Sequence, residues 1–382
     1  MRRKTMIILL LALVVAGISV ASTPIGGDGL IYLQSARTLP AGHLQFFGGT
    51  RFFGKIAGGN QAYTLWNVQG VTALSWGVNK NMEFTLAPIV YQDTNNDRGN
   101  ALDGQANVPD DLLLNMKIGS FGGLESPWMF GGQASVRIPT AESHNIIFEP
   151  YSAGSLSFGL SGLLTYFSNT TFTDEGWSFH ANLGYWNHND VGEELAPGPD
   201  APTPNAMSDE ILFGAGIRYP AGNFDFSAEI NGRAFITRPP ESAYSSEFVS
   251  YLTGGVYYKP YRWLTFQMGV DIRLLSGEDL TEYSWGLKKP ADFPNYPFWR
   301  GMLGVKINLL PTSYFKASEK SSLERKAADR QRMLERLMQG DANADEADNE
   351  LTRIRTERAK VEAELERLRK MLEQEKKKKK SE

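Results

Sequence analysis

The chain has 382 residues, no Cys, 39 Lys and Arg against 43 Asp and Glu, and a formal net charge of −4. The missing thiols exclude disulfides, thiolate nucleophiles and Cys-bound metals, and the near-balanced charge offers no basic face for nucleic acid. Charge is nonetheless uneven: residues 22–315 carry 17 basic and 27 acidic side chains, whereas residues 316–382 carry 19 and 16.

The first element is a targeting segment. Arg2, Arg3 and Lys4 precede an apolar run from Met6 to Val20, and Ser19 and Ala21 occupy the small-residue positions of a cleavage site, so residues 1–21 read as a secretory signal peptide. Residues 22–42 follow as a lead-in expected to lie in the periplasm. No later stretch is apolar for long enough to cross a bilayer as a helix, so any membrane crossing has to be made by strands.

From residue 43 to 311 one pattern recurs: a segment alternating apolar with polar residues, closed by Gly, Pro, Asn or Asp. Twelve segments are expected, near 43–53, 64–78, 81–91, 111–120, 127–138, 154–167, 176–187, 209–219, 223–237, 246–259, 264–274 and 299–309. Residues 264–274 show it most clearly, with Leu264, Phe266, Met268, Val270, Ile272 and Leu274 on one face and Thr265, Gln267, Gly269, Asp271 and Arg273 on the other. Most segments exceed the usual soluble strand and suit the roughly 9–11 residues of a tilted membrane strand. The connections alternate between long and short, with 168–175 the exception, and an even strand count returns both ends of the barrel to one side. Trp66, Trp76, Trp128, Tyr166, Tyr185, Tyr219, Tyr258 and Trp299 fall near segment ends, where interfacial aromatic girdles belong. The expected fold is therefore an all-β transmembrane antiparallel up-and-down barrel of about twelve strands, apolar outside and polar inside. The competing soluble reading is a periplasmic β-sandwich or lipocalin-like barrel, which would not need so many long strands.

Two short motifs add a resemblance. The strand ending Ala134-Ser135-Val136-Arg137-Ile138-Pro139-Thr140, with Ala141 where Gly is usual, and the lead-in Gly29-Leu30 followed by Ser35-Ala36-Arg37-Thr38-Leu39-Pro40-Ala41-Gly42 resemble outer-membrane barrels of the transporter-like group linked to the MetA pathway of phenol degradation. That resemblance implies an outer-membrane transporter-like barrel. Gly304, Ile307 and Leu309 are similar to the terminal-strand signal read by the barrel assembly machinery, although Met302 stands where a polar residue is usual.

Beyond Pro311 the period changes to about 3.5. Leu351, Ile354, Val361, Leu365, Leu368 and Leu372 form a coiled-coil seam interrupted at Arg358, and residues 312–382 read as a periplasmic α-helical coiled-coil tail ending in the basic run Lys376–Lys380. Such helices are marginal alone, so the stripe needs a hairpin mate, a second copy or a periplasmic partner.

Candidate chemistry sits on the polar faces of the strands. Glu83, Lys117, Arg137, Glu229, Arg233, Asp271, Arg273, Arg300 and Lys306 are assigned to the lumen, where buried charge has to be paired or hydrated. None of His43, His144, His180 and His188 sits beside a Ser or carboxylate in a relay pattern, so no enzyme, cofactor or metal is expected. The expected function is a passive, porin-like channel or transporter for small solutes in the Gram-negative outer membrane, in contact with lipid and the barrel assembly machinery. The alternative is a structural envelope protein whose barrel anchors the coiled-coil tail as a tether or oligomerisation module.

Overall fold

The computed structural model describes residues 26–57, 63–96, 105–122, 126–170, 173–195, 203–241, 243–279, 281 and 295–312. The coiled-coil seam at Leu351, Ile354, Val361, Leu365, Leu368 and Leu372 and the signal peptide at 1–21 lie outside the described residues.

Among the described residues thirteen strands are present: β1 (Leu44–Ala57), β2 (Tyr63–Asn79), β3 (Met82–Asn96), β4 (Gln105–Asn107), β5 (Leu112–Phe121), β6 (Trp128–Ile138), β7 (Ser157–Phe167), β8 (Ser178–Asn187), β9 (Asp209–Ala221), β10 (Phe224–Thr237), β11 (Val249–Tyr261), β12 (Leu264–Ser276) and β13 (Trp299–Leu310). β4 is a three-residue addition that pairs only with the outer end of β3, through Gln92↔Asn107 and Thr94↔Gln105. The other twelve pair in sequence order, each antiparallel to the next, and β1 meets β13 from Leu44↔Leu310 to Phe52↔Gly301, so the sheet closes on itself. Closure leaves no unpaired strand edge, which the interior of a bilayer requires because lipid offers backbone amides no partner.

The two-residue period then sorts the side chains. Along β12 the relative exposures of Phe266, Met268, Val270 and Ile272 run from 46 to 54%, while Gln267 and Asp271 between them are buried at 5% and 0%. β10 repeats this with Phe226 and Ile230 outside and Ser227, Glu229 and Asn231 inside. A soluble barrel or sandwich would bury the apolar set, so the soluble reading fails on orientation as well as on the absence, among the described residues, of a second sheet.

Short turns after β2, β9 and β11 gather at the end where β1 begins and β13 stops, and the β5–β6 and β7–β8 connections join them there; the long connections gather at the other end. Several strands run further toward the long-loop end than the alternation predicts. β1 reaches Ala57 in register with Tyr63 of β2, so residues 54–57 and 63, outside the segments expected near 43–53 and 64–78, are strand.

The lead-in is a correction. Expected outside the barrel in the periplasm, its described part from Gly26 to Leu39 is largely buried and bonded to strand residues that face inward. The physical reason lies in Leu30, Ile31, Tyr32 and Leu33, an apolar cluster with few places to hide other than a barrel interior wide enough to admit a chain.

Candidate functional site

The lumen is the only setting in which this fold concentrates polar chemistry among the described residues, and two segments enter it from opposite ends. From the short-turn end comes a tight hairpin centred on residues 29–34, closed by the bridge Gly29↔Gln34 and by Leu30 N donating to Leu33 O at 2.8 Å. At its tip the amides of Ile31, Tyr32 and Leu33 converge on the Glu229 carboxyl, at 2.6 Å to Oε1 and 3.0 and 3.2 Å to Oε2. Three successive main-chain donors around one acidic group form a nest of the kind that binds anions, here filled by a wall residue of β10.

Other wall residues hold the rest of the hairpin. Tyr32 donates its hydroxyl to Asp271, which also accepts from Thr253 Oγ1 at 2.8 Å and Arg300 Nε at 2.9 Å. The Arg300 guanidinium lies 4.1 Å from the centre of the Tyr251 ring, close enough for a cation–π contact. Gln34 N donates to Asn182 Oδ1 at 2.7 Å while Asn182 Nδ2 donates back to Gln34 O at 2.9 Å. Ala36 N donates to Thr165 Oγ1 at 2.9 Å, Leu39 N to Glu83 Oε2 at 2.7 Å, and Lys306 Nζ to Gly27 O at 3.1 Å. Lys117 pairs with Glu83 at 3.2 Å and also reaches Gln34 Oε1 and Arg37 O. Nearer the rim, Arg37 bridges Asp28 at 2.6 Å and Asp174 at 2.8 Å.

The apolar side of the hairpin needs its own accommodation. Ile31 and Tyr32 pack with Tyr257 and Met302, so Met302, unusual as an inward residue of a last strand, supplies a dry patch on a wet wall. Gly269 and Gly214 face the same segment: a Cβ at Gly269 would collide with Ile31 Cδ1, and one at Gly214 with Leu33 Cδ2. Glycine inside a strand here marks a close approach of another part of the chain.

From the long-loop end, the connection between β6 and β7 turns inward, burying Ile146, Ile147, Phe148 and Tyr151. Its Glu149 side chain accepts from Arg51 Nη2 at 2.5 Å, Gln69 Nε2 at 2.8 Å and Asn67 Nδ2 at 3.1 Å, all from β1 and β2. Phe148 packs against Phe53 with ring centres 5.4 Å apart. Neighbouring connections bond to it and to one another: Tyr151 donates to Asp190 at 2.7 Å and Tyr244 N to Asn145 Oδ1 at 2.8 Å, while Tyr296 donates to Ser245 O at 2.7 Å between the β12–β13 and β10–β11 connections.

Of the nine residues singled out from the sequence, Glu83, Lys117, Glu229, Asp271, Arg300 and Lys306 form one set around the hairpin. The remaining three stand toward the long-loop end: Arg137 pairs with Asp111 at 2.5 Å, Arg233 with Glu210 at 3.4 Å, and Arg273 donates to Tyr296 O at 2.7 Å. The alternation did not point to Arg51, Asn67, Gln69, Asn182, Thr165, Tyr32 or Glu149. The first five sit at inward positions of strands but are mostly uncharged; Tyr32 and Glu149 belong to segments with no period, and their signal was an apolar cluster outside any strand, Leu30–Leu33 in one case and Ile146–Phe148 in the other.

A closed antiparallel barrel with an apolar exterior and a hydrogen-bonded polar interior defines the class: the protein is a transmembrane β-barrel. No family model matches the chain, and no curated relative is found. Solved structures with similar folds include an outer-membrane channel from Pseudomonas putida F1 (10% identity over 72% of this chain and 98% of that one, TM-score 0.45), the NanC porin (10%, 70% and 100%, 0.44) and the Ralstonia pickettii toluene transporter TbuX (10%, 76% and 98%, 0.34). At these scores the likeness carries no argument of its own, and the class rests on the pairing and orientation of the strands.

Proposed function

We propose that the protein is a passive outer-membrane channel for small polar solutes whose passage is governed by the hairpin at 26–39 and the inward loop between β6 and β7. One observation carries this reading: the interior is lined by charged and amide side chains that bond to segments outside the sheet, while the sheet closes without them. An anchor has no use for such a lining, since an interior filled only to hold the barrel shut is more stably packed with apolar side chains than with charge pairs. The segments are held by separable hydrogen bonds, so they can move while the twelve-strand cylinder stays intact. The short-turn end then faces the periplasm and the long loops face outward, the usual arrangement of such barrels. Glu83, Lys117, Glu229, Asp271, Arg300 and Lys306 act in this reading as the groups that a passing solute meets once the hairpin is displaced.

Single-channel recording in planar bilayers tests it. The full-length protein is expected to give small, infrequent steps in KCl, and a chain lacking residues 26–39 is expected to give larger steps and an open probability at least about a hundredfold higher, the factor that corresponds to removing about 2.7 kcal/mol of closure. A heat-modifiable, folded preparation that passes no ions in either form rejects the channel reading.

A further inference from the structure

Three donors from two adjacent strands meet on Glu149: the Arg51 guanidinium and the Asn67 and Gln69 carboxamides. Guanidinium and amide N–H groups converging on two oxygens match an acceptor-only planar anion, and a carboxylate is that group. The three donors belong to the barrel wall, whereas the carboxylate arrives on a loop. Arg51 and Asn67 are almost completely shielded, at 2% and 0% relative exposure, so the receptor lies within the lumen and not at its rim.

Two further features show that the occupant is an imperfect fit. First, Asn67 Oδ1 and Gln69 Oε1, on the two amides that hold the carboxylate, and Nε2 of Gln92, whose Oε1 accepts from Gln69 Nε2 at 3.2 Å, are buried without a hydrogen-bond partner. They are two acceptors and one donor, a set that a pair of hydroxyls would satisfy, each donating to one acceptor and one also accepting from the amide, whereas the acceptor-only Glu149 carboxylate has nothing to donate to Asn67 Oδ1 or Gln69 Oε1. Second, the loop reaches the pocket on strained backbone, with Phe148 at φ 70° and Asn145 at φ 54°. A bulky aromatic residue takes that conformation only when its surroundings impose it.

We infer that Arg51, Asn67 and Gln69 form a binding site for a small hydroxylated carboxylate, and that Glu149 is an internal stand-in that fills this site when solute is absent. This rests on the channel reading and deepens it by naming the class of solute. Solute and loop compete for one set of donors, so binding releases the loop from the wall and opens the long-loop half of the passage. The specificity follows from the donors: neutral polyols lack the charge that Arg51 requires, and cations are repelled by it.

The test uses the full-length protein in detergent, with glycerate as probe and glycerol as its uncharged counterpart, followed by calorimetry. Wild-type protein is expected to bind glycerate weakly, because the loop occupies the site in most molecules and apparent affinity scales with the open fraction. Glu149→Gln removes the competing charge and is expected to tighten glycerate binding by about tenfold or more, with no binding of glycerol. Glu149→Gln combined with Arg51→Met is expected to lose that gain. Phe148→Ala, which detaches the loop from Phe53 while keeping the strained backbone position and leaving every donor in place, gives an independent route to the same tightening and carries the test if Glu149→Gln does not fold. Glycerate binding that is no stronger in Glu149→Gln and Phe148→Ala than in wild type, or that survives loss of Arg51, overturns the inference. KCl conductance of the same preparations separates the two claims: ion flow without Arg51-dependent glycerate binding removes the solute class and leaves the channel, whereas Arg51-dependent binding without ion flow leaves the site and removes the channel.

Discussion

The two segments that fill the lumen are attached in opposite ways. The hairpin at 26–39 offers mainly backbone donors, and the barrel supplies the acceptors, with Glu229, Asn182, Thr165 and Glu83 each holding main-chain N–H groups. The loop between β6 and β7 offers one side-chain carboxylate, and the barrel supplies the donors Arg51, Asn67 and Gln69. The hairpin is therefore fixed by its shape, and its hold should depend more on wall residues than on its own side chains. The loop leans on its own side chains, since Glu149 takes all three of these donors and Phe148 packs on Phe53, with Ile147 O accepting from Thr94 Oγ1 at 3.2 Å as a main-chain contact. Specificity for a solute is expected in the second half, where side-chain chemistry decides occupancy, and bulk gating in the first.

The sharpest way to break that contrast is Glu229→Leu. It leaves three buried amides of the hairpin tip without an acceptor, and each orphaned buried donor costs about 1–3 kcal/mol. Even if water recovers most of this, a net loss of about 2–3 kcal/mol shifts the closed-to-open ratio by some thirty- to hundredfold. Single-channel open probability should rise by that order, while strand content by circular dichroism stays constant. An unchanged open probability would mean that the hairpin is held by its side chains after all. Tyr32→Phe is the complementary test with a smaller effect. It removes one hydroxyl, and Asp271 keeps Thr253 and Arg300, so a loss of about 1 kcal/mol, roughly fivefold in open probability, is expected. A Tyr32 effect exceeding that of Glu229 would invert the comparison.

How far this architecture could be read in advance depends on whether a segment has a period. β12 and β13 were legible residue by residue, because a strand with lipid on one side and polar groups on the other has to alternate, and Asp271, Arg273, Arg300 and Lys306 followed from it. Closure of the sheet also followed, since twelve such strands have no other way to satisfy their edges in lipid. The hairpin had no such rhythm. Four apolar residues in a row at Leu30–Leu33 are too few to distinguish a strand, a helix turn or a linker, and their fate was set by Glu229, about two hundred positions away. The glycines at 214 and 269 carried part of the information, because a lumen-facing Gly in a strand asks what approaches it, but not the identity of the visitor. Glu149 was hidden for a related reason: its three donors are distant in sequence, and amides on an inward face read as ordinary lining.

The long-loop half can also be separated from the hairpin half by pH. Asp110, between β4 and β5, is held by its amide to Ile89 O at 2.9 Å, and its carbonyl accepts from Thr140 Oγ1 at 2.5 Å. Burial pushes its carboxyl up to about 7, with Arg137 opposing the rise and Asp111 adding to it. An acid whose folded pKa lies above its unfolded value binds its proton more tightly when folded. Its stabilisation is fully present below about pH 4 and is lost as pH rises through about 7. Deprotonation places an anion in a poorly hydrated pocket already containing Asp111, so the segment at 105–111 should loosen in that interval while the hairpin contacts to Asn182 and Thr165, which do not titrate, persist. Amide hydrogen exchange compared between wild type and Asp110→Asn at each pH cancels the intrinsic pH dependence of exchange. Wild type should match the variant near pH 5 and exchange severalfold faster at Asp110 near pH 8. Because the change is confined to one connection, it is the smallest effect expected, and equal wild-type and variant rates at both pH values would show that Asp110 does not tie the outer loops to pH.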